Sequence, residues 1–273
     1  MPITEAERKY LKNKHKGGKN NSKGNRYENY YAVFQIASLM NSCCDSLKNV
    51  YLRSQLSDTF IDDLLIVKKN SQKTYHQLKD VQTLNWNSLV KDFKRQAEIS
   101  TEQQENFELK LVHSIKDYSN NIPNDLVGYT TVEYFPSHNE LNQLYWYYTP
   151  FKTAIVQIAV EGSSDDALTG IAASILGAWT SINTDEPISL KQISEKVYNI
   201  NGFDGLKVYP TIEMSKKCMN ILNNIGVTFN INGTTLYWSY GHFEGKIKWT
   251  KEIEQNLLEI VPSNFVVLIG ILS

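Results

Sequence analysis

Cysteine is scarce: Cys43, Cys44 and Cys218 are the only three in 273 residues, with no CxxC pair and no spacing of a disulfide framework. Sequence neighbours rarely bridge to each other, so a reducing cytoplasm is the expected setting. The histidines, His15, His76, His113, His138 and His242, have no HxxxH companion, which argues against structural zinc and leaves His76 an ordinary strand residue. Neither a Walker lysine motif nor GxSxG occurs, so P-loop nucleotide hydrolysis and serine-esterase chemistry drop out. No apolar run approaches a membrane span, and the opening residues MPITEAERKYLKNKHKGGKNNSKGNR hold no signal-peptide core. A soluble, cytoplasmic protein without a membrane partner is expected, in which the acceptor-like triplets at Asn20 and Asn232 carry no meaning.

What is present begins with charge polarity. Net charge is only −1, yet Arg8, Lys9, Lys12, Lys14, Lys16, Lys19, Lys23 and Arg26 face only Glu5 and Glu7 in the N-terminal stretch. A basic leader over residues 1–23 reads either as a solvated, partly disordered arm or as one that contacts phosphates. At 41% hydrophobic content the rest can bury one large core or two smaller ones, and two domains are expected.

GNRYENYYAVFQIASLM places Tyr27, Tyr30, Tyr31, Phe34, Ala37 and Met40 at helical spacing, a stripe that reads as core packing. Glu28 shares a helix face with Tyr31 and Gln35, beside that stripe, where it can meet a polar pocket at the edge of the core. VYLRSQ reads as a short strand; FIDDLLIV and KTYHQLKDV, joined by KKNSQ, read as an antiparallel hairpin. On the second hairpin strand Tyr75, Gln77, Lys79 and Val81 share one face. A lysine beside a metal-facing amide or carboxylate, opposite an aspartate on the next strand, suits phosphodiester hydrolysis. The aspartate anchors a divalent cation, and the lysine positions the attacking water and offsets developing charge. Register decides the aspartate: one pairing sets Asp63 across from Lys79 and Leu65 from Gln77, and a slip of one residue sets Asp62 there instead. Asp63, leading directly into an aliphatic strand, is the choice.

YENYYAVFQI, DDLLIV and YHQLKD, in this order and spacing, resemble the PD-(D/E)xK, restriction-endonuclease-like nucleases, in the variant where QxK replaces (D/E)xK. More narrowly, they resemble the double-stranded-DNA endonuclease effector domains of bacterial antiphage systems of the cyclic-nucleotide-signalling and Lamassu types. The resemblance covers roughly residues 24 to 115, about a third of the chain. It implies an α/β fold with a mixed sheet flanked by helices. It also implies a catalytic cluster of Glu28, Asp63, Gln77 and Lys79, with Glu28, Asp63 and Gln77 holding one or two Mg²⁺ (or Mn²⁺) ions and Asp62 as the alternative to Asp63. Gln77 brings no negative charge, so weaker metal binding than at an all-carboxylate site is expected, with activation by DNA or assembly.

Further on, SLVKDFKRQAEISTEQQ reads as a helix presenting Lys91, Lys94 and Arg95 to solvent or, less simply, to phosphates, and FELKLVHS and LVGYTTVEYF as strands. The run Tyr145 to Tyr148 suggests core or self-association. A boundary is placed near EGSSDD, giving a nuclease domain over 24–160 and a C-terminal domain over 161–273 for oligomerisation or partner binding. There DDALTGIAASILGAWTSI, ISLKQISEKVYNI and TIEMSKKCMNILNNIG read as three helices, and VTFNINGTTLYWS as a hairpin about Asn232-Gly233, a mostly helical, winged-helix-like pattern. NFVVLIGILS reads as a buried strand or an oligomer contact. The function these features imply is a Mg²⁺-dependent endonuclease of double-stranded DNA, a homo-oligomeric antiphage effector restrained by an SMC-like or ABC ATPase or a sensor subunit. Two alternatives stand beside it: a stand-alone restriction-type endonuclease, and a non-catalytic DNA-binding or scaffold protein with a degenerate nuclease fold.

Overall fold

The computed structural model describes residues 3–19, 22–68, 70–118, 122–201, 205–207, 214–232 and 235–272. Two compact units divide the chain, Met1–Gly205 and Leu206–Ser273. The first is α/β. Its strands β1 (Tyr51–Ser54), β2 (Leu64–Val67), β3 (Lys73–Lys79), β4 (Phe107–His113), β5 (Thr130–Tyr134) and β6 (Ile188–Ser189) form a mixed sheet in the order β5-β4-β3-β2-β1-β6. β6, β1, β2 and β3 pair antiparallel in succession, as a hairpin dictates for β2 and β3, whereas β4 is parallel to β3 and β5 to β4. A parallel neighbour needs a crossover, and helix α3 (Val90–Glu102) supplies the one between β3 and β4.

Helices cover both faces because the strands are apolar on both. α3 lays Phe93 and Ala97 on Leu65, Tyr75, Leu109 and Leu111. On the other face α2 (Ser22–Ser42) sets Tyr31 5.6 Å from the His76 ring, and α5 (Thr149–Ile158) and α6 (Asp165–Thr180) pack behind it. His76 is buried with Nδ1 3.1 Å from the Leu64 carbonyl oxygen, and burial holds its pKa down at about 3, so it is a neutral core residue. Within the N-terminal stretch, α1 (Glu5–Lys19) buries Leu11 and sends Tyr10 to Asp92 of α3 and Lys14 to Gln77 of β3.

The division falls after Gly205, not near Gly162. EGSSDD is an internal turn whose Ser164 side chain caps α6 by accepting from Ala167 N–H at 3.2 Å. α6 cannot leave the first unit, since it buries Leu168, Ile171, Ile175 and Trp179, and Trp179 Nε1 donates to Asn29 of α2 at 3.1 Å. β6 pairs with β1 and leads into α7 (Leu190–Asn201), so that segment belongs to the first unit too. Two of the three helices expected to make a winged helix with the hairpin therefore lie outside the second unit.

That second unit consists of α8 (Lys216–Ile225), the antiparallel meander β7 (Thr228–Asn232), β8 (Thr235–Tyr240) and β9 (Phe243–Lys248), and helices α9 (Lys251–Ile260) and α10 (Phe265–Leu272). Leu222, Leu236, Trp249, Leu257 and Leu268 fill its core. The expected hairpin is β7 and β8, with Gly233 and Thr234 of its turn outside the described residues. NFVVLIGILS is helical, not a strand: Asn264 caps it by accepting from Val267 N–H at 3.1 Å.

Candidate active site

The site lies where β2 begins and β3 ends. The alternation that puts Tyr75 under α3 and His76 under α2 carries Gln77 and Lys79 onto the Tyr75 side, past the apolar layer. Leu64 pairs with His76 and Leu65 with Tyr75, so one step further Asp63 lies across from Gln77. The expected pairing of Asp63 with Lys79 is thus corrected by two residues. Between the two strands Lys68 N–H donates to Gln72 O at 2.9 Å and Ser71 takes a φ of 60°. A slip of two preserves the face, and Asp63, not Asp62, shares the side of Gln77 and Lys79.

Hydrogen bonding separates the two aspartates. Asp63 Oδ2 accepts from Leu78 N–H at 2.6 Å and from Gln77 Nε2, while Oδ1 has no hydrogen bond among the described residues. Asp62, 6% exposed, places Oδ1 3.1 Å from the Lys14 ammonium. The same ammonium donates to Phe60 O at 2.5 Å, to Asp92 Oδ2 at 3.1 Å and to Gln77 Oε1 at 3.3 Å. Tyr10 O–H also donates to Asp92, at 3.0 Å. Asp62 is therefore bound into an internal ion cluster with α1 and α3.

Glu28 comes to Asp63 from α2. The two line one polar cavity of about 200 Å³ with Asn25, Asn29, Ser54 and Gln55. Gln55 follows β1 with a φ of 53° and donates Nε2 to Glu28 Oε2 at 2.5 Å. A non-glycine residue in that region is uncommon, and here it aims an amide at a carboxylate. Burial, and then the charges of Asp63 and Asp62, push the Glu28 carboxyl up to about 8, against the pull of Lys79 and Gln55. Burial and Asp62 likewise raise Asp63 to about 6, opposed by Lys79, Leu78 N–H and Lys14. Lys79 forms no direct ion pair among the described residues; it acts on both carboxylates through space.

Glu28, Asp63, Gln77 and Lys79 are thus neighbours, but they are not equivalent: Gln77 and Lys79 do not line the cavity that Glu28 and Asp63 share. Among the described residues no three His, Cys, Asp or Glu side chains form a metal-binding group. Two buried carboxylates, raised first by burial and then by neighbouring aspartate charge, nevertheless fit a hard divalent cation, because Mg²⁺ is commonly held by one or two carboxylates, with water and substrate phosphates completing its shell. Lys91, Lys94 and Arg95 have internal partners. Lys94 pairs with Asp125, Arg95 with Glu7 at 2.8 Å and Glu98 at 3.1 Å, and Lys91 sits over the Tyr10 ring.

Sequence reading missed Lys14, Gln55 and Asp92. Asp92 had a signal, lying beside Phe93 on the buried side of an amphipathic helix. Lys14 had none, being one cation among many in its stretch. Comparison with known protein families, curated proteins and solved structures finds no match for this chain.

Proposed function

We propose that this chain is a divalent-metal-dependent endonuclease of double-stranded DNA, of the restriction-endonuclease-like type, acting as an antiphage effector under the control of a partner ATPase or sensor. The observation that carries the reading is the convergence of Glu28 from α2 and Asp63 from the head of β2 on one polar cavity, with Lys79 acting on both. Glu28 and the Asp63 Oδ1 would hold Mg²⁺ or Mn²⁺, which when bound supplies polarisation of the phosphate and a lowered pKa for its water. Gln55 steadies Glu28, and Leu78 N–H and Gln77 steady Asp63. Lys79 offers a positive charge to orient the attacking water and offset charge building on the phosphate. The internal ion pairs of Lys94 and Arg95 leave phosphate contact to other cations.

A second reading, a DNA-binding or scaffold protein with a degenerate nuclease fold, draws on the lack of a third carboxylate in the cavity among the described residues. Cleavage separates the two. Purified chain with Mg²⁺ is expected to cut duplex plasmid, and chelation to stop it. Asp63→Ala eliminates cutting, whereas Asp62→Ala retains a measurable fraction because Asp62 is tied to Lys14. Full activity in Asp63→Ala would refute the assignment.

A further inference from the structure

Gln77 stands at the position where the QxK pattern puts a metal ligand, yet its amide is held with the opposite polarity. A lysine ammonium has donors and no acceptor, so the Gln77 atom 3.3 Å from Lys14 Nζ must be the oxygen. The other end of a planar amide is then Nε2, and it donates to Asp63 Oδ2, which also takes Leu78 N–H at 2.6 Å. Lys14 cannot easily turn away. Its Nζ is simultaneously held by Phe60 O at 2.5 Å, Asp92 Oδ2 at 3.1 Å and Asp62 Oδ1 at 3.1 Å. Gln77 is itself only 2% exposed and does not line the cavity.

We infer that Gln77 is a positioning residue, a hydrogen-bond donor that fixes Asp63, and that Lys14 of α1 fixes the Gln77 amide in that sense. The inference rests on the reading of Asp63 as the metal-holding carboxylate. Two donors on Oδ2 lock the carboxylate plane and leave Oδ1 for the cavity. Lys14 meanwhile holds Asp62 out of competition. Partners of this kind set the orientation of a ligand, and losing one typically costs about 10- to 100-fold in metal affinity.

The test uses the full chain and Mg²⁺ titrated by calorimetry. If Gln77 gave its oxygen to the metal, Gln77→Glu would add an anionic ligand and tighten binding. If Gln77 is the donor, Gln77→Glu turns a carboxylate on Asp63 and weakens binding by about tenfold or more. Lys14→Met is expected to weaken it similarly, and Lys14→Arg, which keeps a donor cation, to recover most of the loss; loss of space-filling alone would not distinguish the two. A metal-free readout covers variants that fail to fold. In the wild-type chain the Gln77 Nε2 protons, followed by ¹⁵N–¹H NMR, exchange with water far more slowly than those of exposed glutamines, before and after Mg²⁺ is added. Tighter Mg²⁺ binding by Gln77→Glu, or solvent-rate exchange of those amide protons, overturns the inference. A wild-type chain that binds no Mg²⁺ but keeps the amide protected would instead refute the metal site while upholding the donor role of Gln77.

Discussion

Burial holds Glu28 and Asp63 near each other at a cost that depends on pH. The Glu28 carboxyl, at about 8 in the folded chain against 4.5 when unperturbed, keeps its proton over a range where the unfolded chain has released it. The folded state then binds more protons than the unfolded one, so stability falls as pH rises from about 4.5 to about 8 and levels off above. Asp63, raised to about 6 from 3.8, adds the same sign over a lower range. Glu28→Gln removes the larger of these penalties. In metal-free buffer the variant should gain on the wild type in urea denaturation, by little at pH 5 and by of order 2 kcal/mol at pH 8.5. An equal difference at both pH values would show that Glu28 is not held protonated. Because a cation would need both carboxylates deprotonated, its binding would release protons and strengthen as pH rises through the same range.

Elements were legible where a period and a breaker agreed. α2, α3, the β2–β3 hairpin, β4 and β5 all follow from apolar spacing with polar turns between them. The hairpin's face was readable because side chains alternate, but its register was not. Register is tied to the closing bond from Lys68 N–H to Gln72 O, and a Ser71 in the left-handed region has no sequence signature. α10 was misread because seven hydrophobic residues, several of them β-branched, broken only by Gly270, have no polar face from which to take a period. The capping Asn264 was the available clue. In the site, the Asp63 face and the QxK face were visible, while Lys14 and Gln55 reach it through tertiary contacts 63 and 27 residues apart in sequence. The meander holds one element of sharp steric demand. A Cβ on Gly245 would lie 2.4 Å from Trp238 Cζ2 and 2.8 Å from Cε2, a ring held by its own packing against Phe265. Gly245→Ala should therefore destabilise the Leu206–Ser273 unit by about 1–3 kcal/mol. Thermal unfolding followed by tryptophan fluorescence checks it, and an unchanged midpoint would mean that the ring moves freely.

At the scale of the whole molecule, the extent of the first unit decides which truncations are meaningful. A chain ending near residue 161 would strip β6, α6 and α7 from the sheet and from α2, removing Ile171, Ile175 and Trp179 and baring the α2 surface that α6 covers. Residues 1–205 should unfold cooperatively with the Trp179–Asn29 hydrogen bond intact, whereas residues 1–161 should be aggregated or unfolded by circular dichroism and light scattering. A well-folded 1–161 would contradict the unit boundary. The same comparison bears on assembly. Within the Tyr145–Tyr148 run, Tyr145 is core and donates to Asp165 at 2.5 Å, but Trp146 and Tyr147 are 54% and 77% exposed. In the second unit Val266 is 77% exposed on α10. Cutting both strands of a duplex with one site per chain favours a symmetric pair, and the homo-oligomer proposed on that ground is sized on the 1–205 chain against the full one. The central claim is chemical, and one measurement reaches it most directly: the rate at which wild type and Lys79→Ala convert supercoiled plasmid across a Mg²⁺ titration, with both proteins confirmed folded. Metal-dependent cleavage by the wild type that is abolished in Lys79→Ala is the expected result; cleavage retained by Lys79→Ala, or a wild-type chain inert at every Mg²⁺ concentration, would contradict it.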